Sequence, residues 1–277
     1  MSQDPHILAN PPKRQPIYGK KTYAVNLQTN ITGTDKPVNS TITYTLEIDY
    51  GSHDFILKKT NVIVDGNPIP TKINDLYLKT AEPLNHIQFR CTEQGNIKEL
   101  YKHEQLLKTW EQTKKQVAQQ FIGKPVTQVI EQLDKTYNNK QTLIQRLNTN
   151  AVLQTFYRSF ISDYLIYYGQ SNTAFTNTGI LSNIPLHFAG IKTLGLKNEQ
   201  LYVQSDANLN KVKADITKLE TYFKNKVENF TIEDLEISLQ DRTLLDYKSV
   251  WINQSTVTQT VQAKNYKKKV VLTLQHV

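Results

Sequence analysis

The sequence predicts an α+β fold: an antiparallel sheet or incomplete barrel built from the amino-terminal and carboxyl-terminal halves, with a central helical insertion packing on it. Three observations predict it. Apolar and polar residues alternate in both halves, as in Ile42, Tyr44, Leu46, Ile48 and Tyr50 and again in Val270, Leu272 and Leu274, which is the period of strands with one covered face. From Lys98 to Tyr168 the apolar spacing changes to three and four, the period of helices. Neither half shows the strand, helix, strand crossover that a parallel sheet requires.

Residues 1–16, with four prolines, are expected to form a flexible or extended arm, because each X-Pro pair disfavours helix. A single composite domain is expected over 17–277, divided into strands at 17–97, helices at 98–168, and strands with one helix at 169–277. In the first part Tyr23, Val25 and Leu27 begin the alternation, Gly33 to Pro37 supplies turn material, and Tyr50 to Asp54 a further turn. Asp65-Gly66 favours a tight hairpin. An edge strand is expected around Leu76 to Leu78. Ile87, Phe89 and Cys91 place the lone cysteine on the apolar face of the next strand, and residues 93–96 hand the chain to the helices.

The helical block opens with Leu106, Trp110, Val117 and Phe121 on one face. Gly123 ends that helix and Pro125 starts the next, at a position where a missing N–H costs nothing. Leu143, Ile144 and Leu147 form a short third segment. Leu153, Phe156, Phe160, Tyr164 and Tyr167 stripe a fourth that ends at Gly169. Residues 170–183, rich in Ser, Asn and Thr, are expected to be a loop, and 184–203 irregular strands. Leu209 to Val227 follows helical spacing, with Asn208 as the expected cap. Strands return from Leu235 onward.

Composition narrows the chemistry. With 277 residues, 38% hydrophobic and 21% charged, the chain can bury its own core. One cysteine permits neither an intrachain disulfide nor a thiolate cluster. The six histidines stand at no metal-ligand spacing, no Gly-rich phosphate loop occurs, and no Gly-x-Ser-x-Gly elbow is present. Hence no catalytic, cofactor-binding or metal residues are assigned, no cofactor is expected, and the protein is read as not an enzyme. Asp234 and Glu236 would share a strand face, but alternation with Leu235, Ile237 and Leu239 accounts for them as a solvated side. No stretch of about twenty apolar residues occurs, as a membrane span needs, and no secretory leader opens the chain, so a cytoplasmic location is expected.

Two candidate surfaces remain. Lys264, Tyr266, Lys267, Lys268 and Lys269 cluster in a turn between the last two strands, within a chain of net charge +8. Lysines around a tyrosine could grip phosphates while the ring stacks on a base, but they equally protect a sheet edge, and without a recognisable module nucleic acid is disfavoured as partner. Phe156, Phe160 and Tyr164 form a candidate apolar groove. Sheet curled over helices resembles the half-barrels that carry lipids or lipoproteins, a likeness of architecture alone. The expected function is therefore a non-enzymatic protein-binding or adaptor role, with another protein as partner. A carrier of an apolar small molecule or lipid in a half-barrel cavity is the alternative.

Overall fold

The structure, a computed structural model, describes residues 5–51, 54–67, 71–92 and 96–277. In chain order the elements are α1 (Pro5–Ala9), β1 (Gly19–Thr32), β2 (Val38–Gly51), β3 (Asp54–Val64), α2 (Lys72–Ala81), β4 (His86–Cys91) and β5 (Ile97–Tyr101). The helices α3 (His103–Gln120), α4 (Lys124–Tyr137), α5 (Lys140–Asn148), α6 (Ala151–Ser159) and α7 (Asp163–Tyr168) follow. Then come β6 (Gln170–Gly179), β7 (Ser182–Lys197), β8 (Gln200–Leu209), α8 (Ile216–Phe223), β9 (Leu235–Leu245), β10 (Ile252–Ala263) and β11 (Tyr266–His276). The strands form one open antiparallel sheet in the order β5-β4-β3-β2-β1-β11-β10-β9-β8-β7-β6, so the α+β class holds. Compactness divides the chain into one unit of Met1–Ile17, Val25–Thr41 and Thr149–Val277, and another of Tyr18–Ala24 and Ile42–Asn148.

In the first unit, β6 to β11 are sequential neighbours, so each strand in that run pairs with the next in sequence, and the longer β8–β9 connection carries α8. Strict alternation puts Leu235, Ile237, Leu239 and Leu245 of β9 and Val257, Val261 and Ala263 of β10 on the buried face. Glu236, Gln240 and Arg242 of β9 are exposed on the other. α6 lies over the buried face with Leu153, Phe156 and Tyr157 inward. Asn150 starts that helix by accepting from the N–H groups of Val152 and Leu153. α8 adds Leu219 and Phe223, both fully buried.

The amino-terminal residues of this unit are tied down. Ile7 is fully buried, the Ile17 N–H donates to Ser249 O at 2.9 Å, and Trp251 Nε1 donates to Ile17 O at 3.0 Å. Residues 5–9, which precede the Pro11-Pro12 pair, form helix α1.

In the second unit an aromatic row crosses three strands. Tyr50 of β2 pairs with Phe55 of β3, which pairs with Phe89 of β4, and the rings stack at 4.3 and 5.6 Å. The helical layer packs chiefly on itself. Trp110 of α3 is fully buried against Tyr137 of α4, 4.8 Å between ring centroids, and its Nε1 donates to Asp134 at 2.9 Å. Tyr137 in turn donates from its hydroxyl to Thr80 O in α2 at 2.9 Å.

Several expectations need correction. The segment around Leu76 to Leu78 is helix α2 and not a strand: Thr71 caps it by accepting from Asn74 N, and its run of ten residues is too long for a short edge. The expected loop at 170–183 is largely strand β6, because its backbone pairs with β7 although Ser and Asn favour loops; Phe175 stacks on Phe188 at 5.3 Å. The irregular strands at 184–203 are the long, regular β7 and β8, joined by Asn198 and Glu199, both at positive φ as a primed hairpin turn requires.

The helix expected over Leu209 to Val227 spans only Ile216–Phe223. Leu209 belongs to β8, paired with Phe188, Val212 is 95% exposed, and Asp215 is the cap, accepting from Lys218 N at 3.1 Å. The fourth helical stripe is two helices, because the chain turns extended at Phe160 and Ser162 caps a fresh start at Asp163. Cys91 is half-buried, at a register shift in β4, and not fully enclosed. The Asp65-Gly66 turn forms as expected, with both residues at positive φ and a bridge from Val64 to Asn67. Parts of the expected arm, of the turn at 50–54 and of the hand-over at 93–96 fall on residues 1–4, 52–53 and 93–95, outside the described residues.

Candidate functional site

The β10–β11 turn separates its lysines. Lys264 sits at φ 51° and donates to the carbonyls of Glu228 and Asn229 at 3.0 and 2.6 Å, with Asp234 at 3.5 Å. Tyr266 faces inward, 1% exposed, edge-on to Phe223 at 5.4 Å, and burial raises its hydroxyl pKa. Lys268 shares that inward face; it donates to Ile180 O, and burial lowers its pKa. Only Lys267 and Lys269 are exposed on the outer face. The ring is therefore a core residue, and the lysines do not converge around it. Alternation along β11 decides this, since positions 266 and 268 share a side and 267 and 269 take the other.

The aromatic stripe is divided in the same way. Phe156 and Phe160 are 5% and 8% exposed, while Tyr164 stands out at 58%. Tyr164 instead joins Tyr168, 4.4 Å between centroids, and Tyr167 and Tyr168 are also exposed. The break at residues 160–162 rotates α7 out of the phase that a single helix would have kept.

Beneath α6 lies a polar seam that periodicity does not reveal. Arg158 donates from Nε to Asp241 Oδ2 at 2.8 Å, with the two side chains 7% and 4% exposed. Its remaining nitrogens reach Gln154 Oε1 at 3.2 Å and Thr155 Oγ1 at 3.4 Å, and the guanidinium lies 5.1 Å from the Phe175 ring. Thr243 donates to Asp241 Oδ1 at 2.8 Å and shares a hydrogen bond with Ser255.

Strand register extends the seam sideways. Asp241 is opposite Ser205 of β8, and Ser205 is opposite Lys192 of β7. Burial pushes the Lys192 amine down to about 8; Asp241 counters that shift and Arg158 adds to it. Lys192 donates to Phe160 O at the end of α6, so a cation meets the negative pole of that helix. Ser205 Oγ and Gln259 Nε2 are buried and have no hydrogen-bond partner among the described residues. The sequence signal for this seam is polar residues that interrupt the apolar faces of the strands, at positions 241 and 243 in β9, 205 in β8, and 255 and 259 in β10.

Among the described residues no three His, Cys, Asp or Glu side chains group closely enough to hold a metal ion. Among the same residues no helix is long and apolar enough to cross a membrane.

No family model and no curated protein sequence matches the chain. Its fold is similar to that of lipovitellin, in a solved structure concerned with lipid-protein interactions, with a TM-score of 0.53 and 13% identity over 96% of this chain. The chain spans 25% of the length of that lipovitellin chain. At that identity the likeness is one of fold alone.

Proposed function

We propose that the protein binds a lipid or another apolar small molecule, as a carrier and not as an enzyme. The likeness in fold to lipovitellin supports this reading. The first unit offers the matching physical means: a broad apolar sheet face covered by α6, a helix of only nine residues. An apolar chain entering there would replace contacts now made by Phe156 and Phe160, and a polar head would find Lys192, Ser205 and Gln259 in the seam. Native mass spectrometry of the purified chain, followed by titration of the delipidated protein with a fluorescent fatty acid, tests the reading. Co-purifying lipid or saturable binding that weakens in Phe156→Ser is expected. The absence of both a bound mass and saturable binding would overturn it.

A protein-binding role is the second reading, favoured by Tyr164, Tyr167 and Tyr168, which are 58, 66 and 58% exposed on one short helix. Exposed tyrosines are enriched at interfaces, where the ring buries area and the hydroxyl stays solvated. A partner recovered with the parent chain and lost with Tyr164→Ser/Tyr168→Ser would support it.

A further inference from the structure

The two end strands of the sheet are treated differently by their surroundings. β5 is five residues long, carries Lys98 and Glu99, and is closed by Asn148, whose Oδ1 accepts from Ile97 N at 2.6 Å and whose Nδ2 donates to Ile97 O at 3.2 Å. Short length, charge and a capping side chain are the usual protections of an edge. β6 has none of these along most of its length. Its ten residues, QSNTAFTNTG, include no charge and no proline, in a chain of net charge +8.

The open groups of β6 can be identified. Leu194 N donates to Gly169 O at 2.8 Å, and Gly169 continues the β6–β7 register of Gln170↔Thr193. Antiparallel pairs alternate between bonded and non-bonded, so Ser171, Thr173 and Phe175 bond to β7 while Gln170, Asn172, Ala174 and Thr176 point their backbone groups away from it. The 2.5 Å bond from Gln154 Nε2 to Thr176 O agrees with that phase and takes up the last of these carbonyls. Gln170, Asn172 and Ala174 are all exposed, and no other hydrogen bond among the described residues uses their backbone.

We propose that β6 pairs antiparallel with β6 of a second copy of this chain, extending the sheet across a two-fold axis at Asn172. Three open residues centred on Asn172 form a self-complementary set: Gln170 meets Ala174 of the copy, Asn172 meets its equivalent, and Ala174 meets Gln170. Each of these pairs exchanges two backbone hydrogen bonds. The absence of charge removes the repulsion that two basic chains would otherwise meet at such an edge.

Analytical ultracentrifugation of the full chain tests this. The expected result is a concentration-dependent species of twice the 31.9 kDa chain mass. Ala174→Lys places two charges at the joint, and Ala174→Pro removes an N–H that β7 does not use; both are expected to shift the chain to monomer with unchanged circular dichroism. In a Cys91→Ser background, Asn172→Cys is expected to form an intermolecular disulfide, since bonded pairs hold their Cα atoms about 5.5 Å apart. A monomer at all concentrations, or a dimer that survives both Ala174 variants and yields no cross-link in the Asn172→Cys variant, would overturn the proposal.

Discussion

Arg158 of α6 and Asp241 of β9 form a buried ion pair at 2.8 Å, 83 residues apart in sequence, within the polar seam of an otherwise largely apolar face. Because Asp241 also accepts from Thr243, one carboxylate joins helix and sheet. Asp241→Ala leaves the guanidinium buried without its counter-charge and is expected to cost about 3–5 kcal/mol. Replacing both partners, as Arg158→Met/Asp241→Leu, is expected to cost less than that single change. Urea unfolding of the three variants Asp241→Ala, Arg158→Met and the double replacement checks it, and a double variant as unstable as Asp241→Ala would contradict the account.

Lys192 makes stability depend on pH. Its folded pKa of about 8 lies below the ordinary value of 10.5, so between those values the unfolded chain binds more protons than the folded one. Stability is therefore expected to rise from pH 8 towards 10, with burial of Lys59 and Lys268 acting in the same direction. Near pH 10 and above, the buried hydroxyls of Tyr23, Tyr137 and Tyr266, whose pKa values are raised, reverse the trend. Thermal melting of the parent and of Lys192→Met at pH 7, 8, 9 and 9.5 checks this: the variant should show a flatter rise, and an identical profile would remove Lys192 as its cause.

Trp110 should be a major stability residue of the helical layer. Its ring is fully buried and its Nε1 is bonded to Asp134, so Trp110→Ala is expected to cost about 3–5 kcal/mol and Trp110→Phe less. The melting temperature reads the effect directly. An unchanged value for the alanine variant would show that the packing of α3 on α4 contributes little.

Gly33, between β1 and β2, has φ +73°, and a Cβ added there would lie 1.8 Å from Asn265 O in the β10–β11 turn. Gly33→Ala must strain its own backbone and push the neighbouring turn away, at an expected cost of about 2 kcal/mol or more. Gly66→Ala shares the positive φ but meets nothing within 4 Å, so it isolates the backbone contribution. Thermal melting of the two variants compares them, and equal losses at both positions would show that the clash is relieved at no cost.

The sequence alone determined the class of the fold, because period determines which faces can be buried: alternation in residues 42–50 and 235–274, and spacing of three and four around Trp110 and Leu153, leave few alternatives to strands and helices there. It also placed the Asp65-Gly66 turn and the start of α4 at Pro125, whose backbone chemistry is local, whereas α3 ends at Gln120 and Gly123, expected to stop it, is instead the residue before α4. Where period was ambiguous, pairing decided. β6 is a strand because β7 lies beside it, and Leu209 is held by Phe188 although its spacing also suits a helix. The seam of Arg158, Asp241 and Lys192 was decided only by the tertiary structure. Each of these residues is an ordinary surface charge when read in sequence, and it is register and the position of α6 that take them out of water. The same holds for Tyr266: its neighbours in sequence are lysines, but its neighbours in space are Phe223 and Tyr222, and burial in that cluster makes it part of the core.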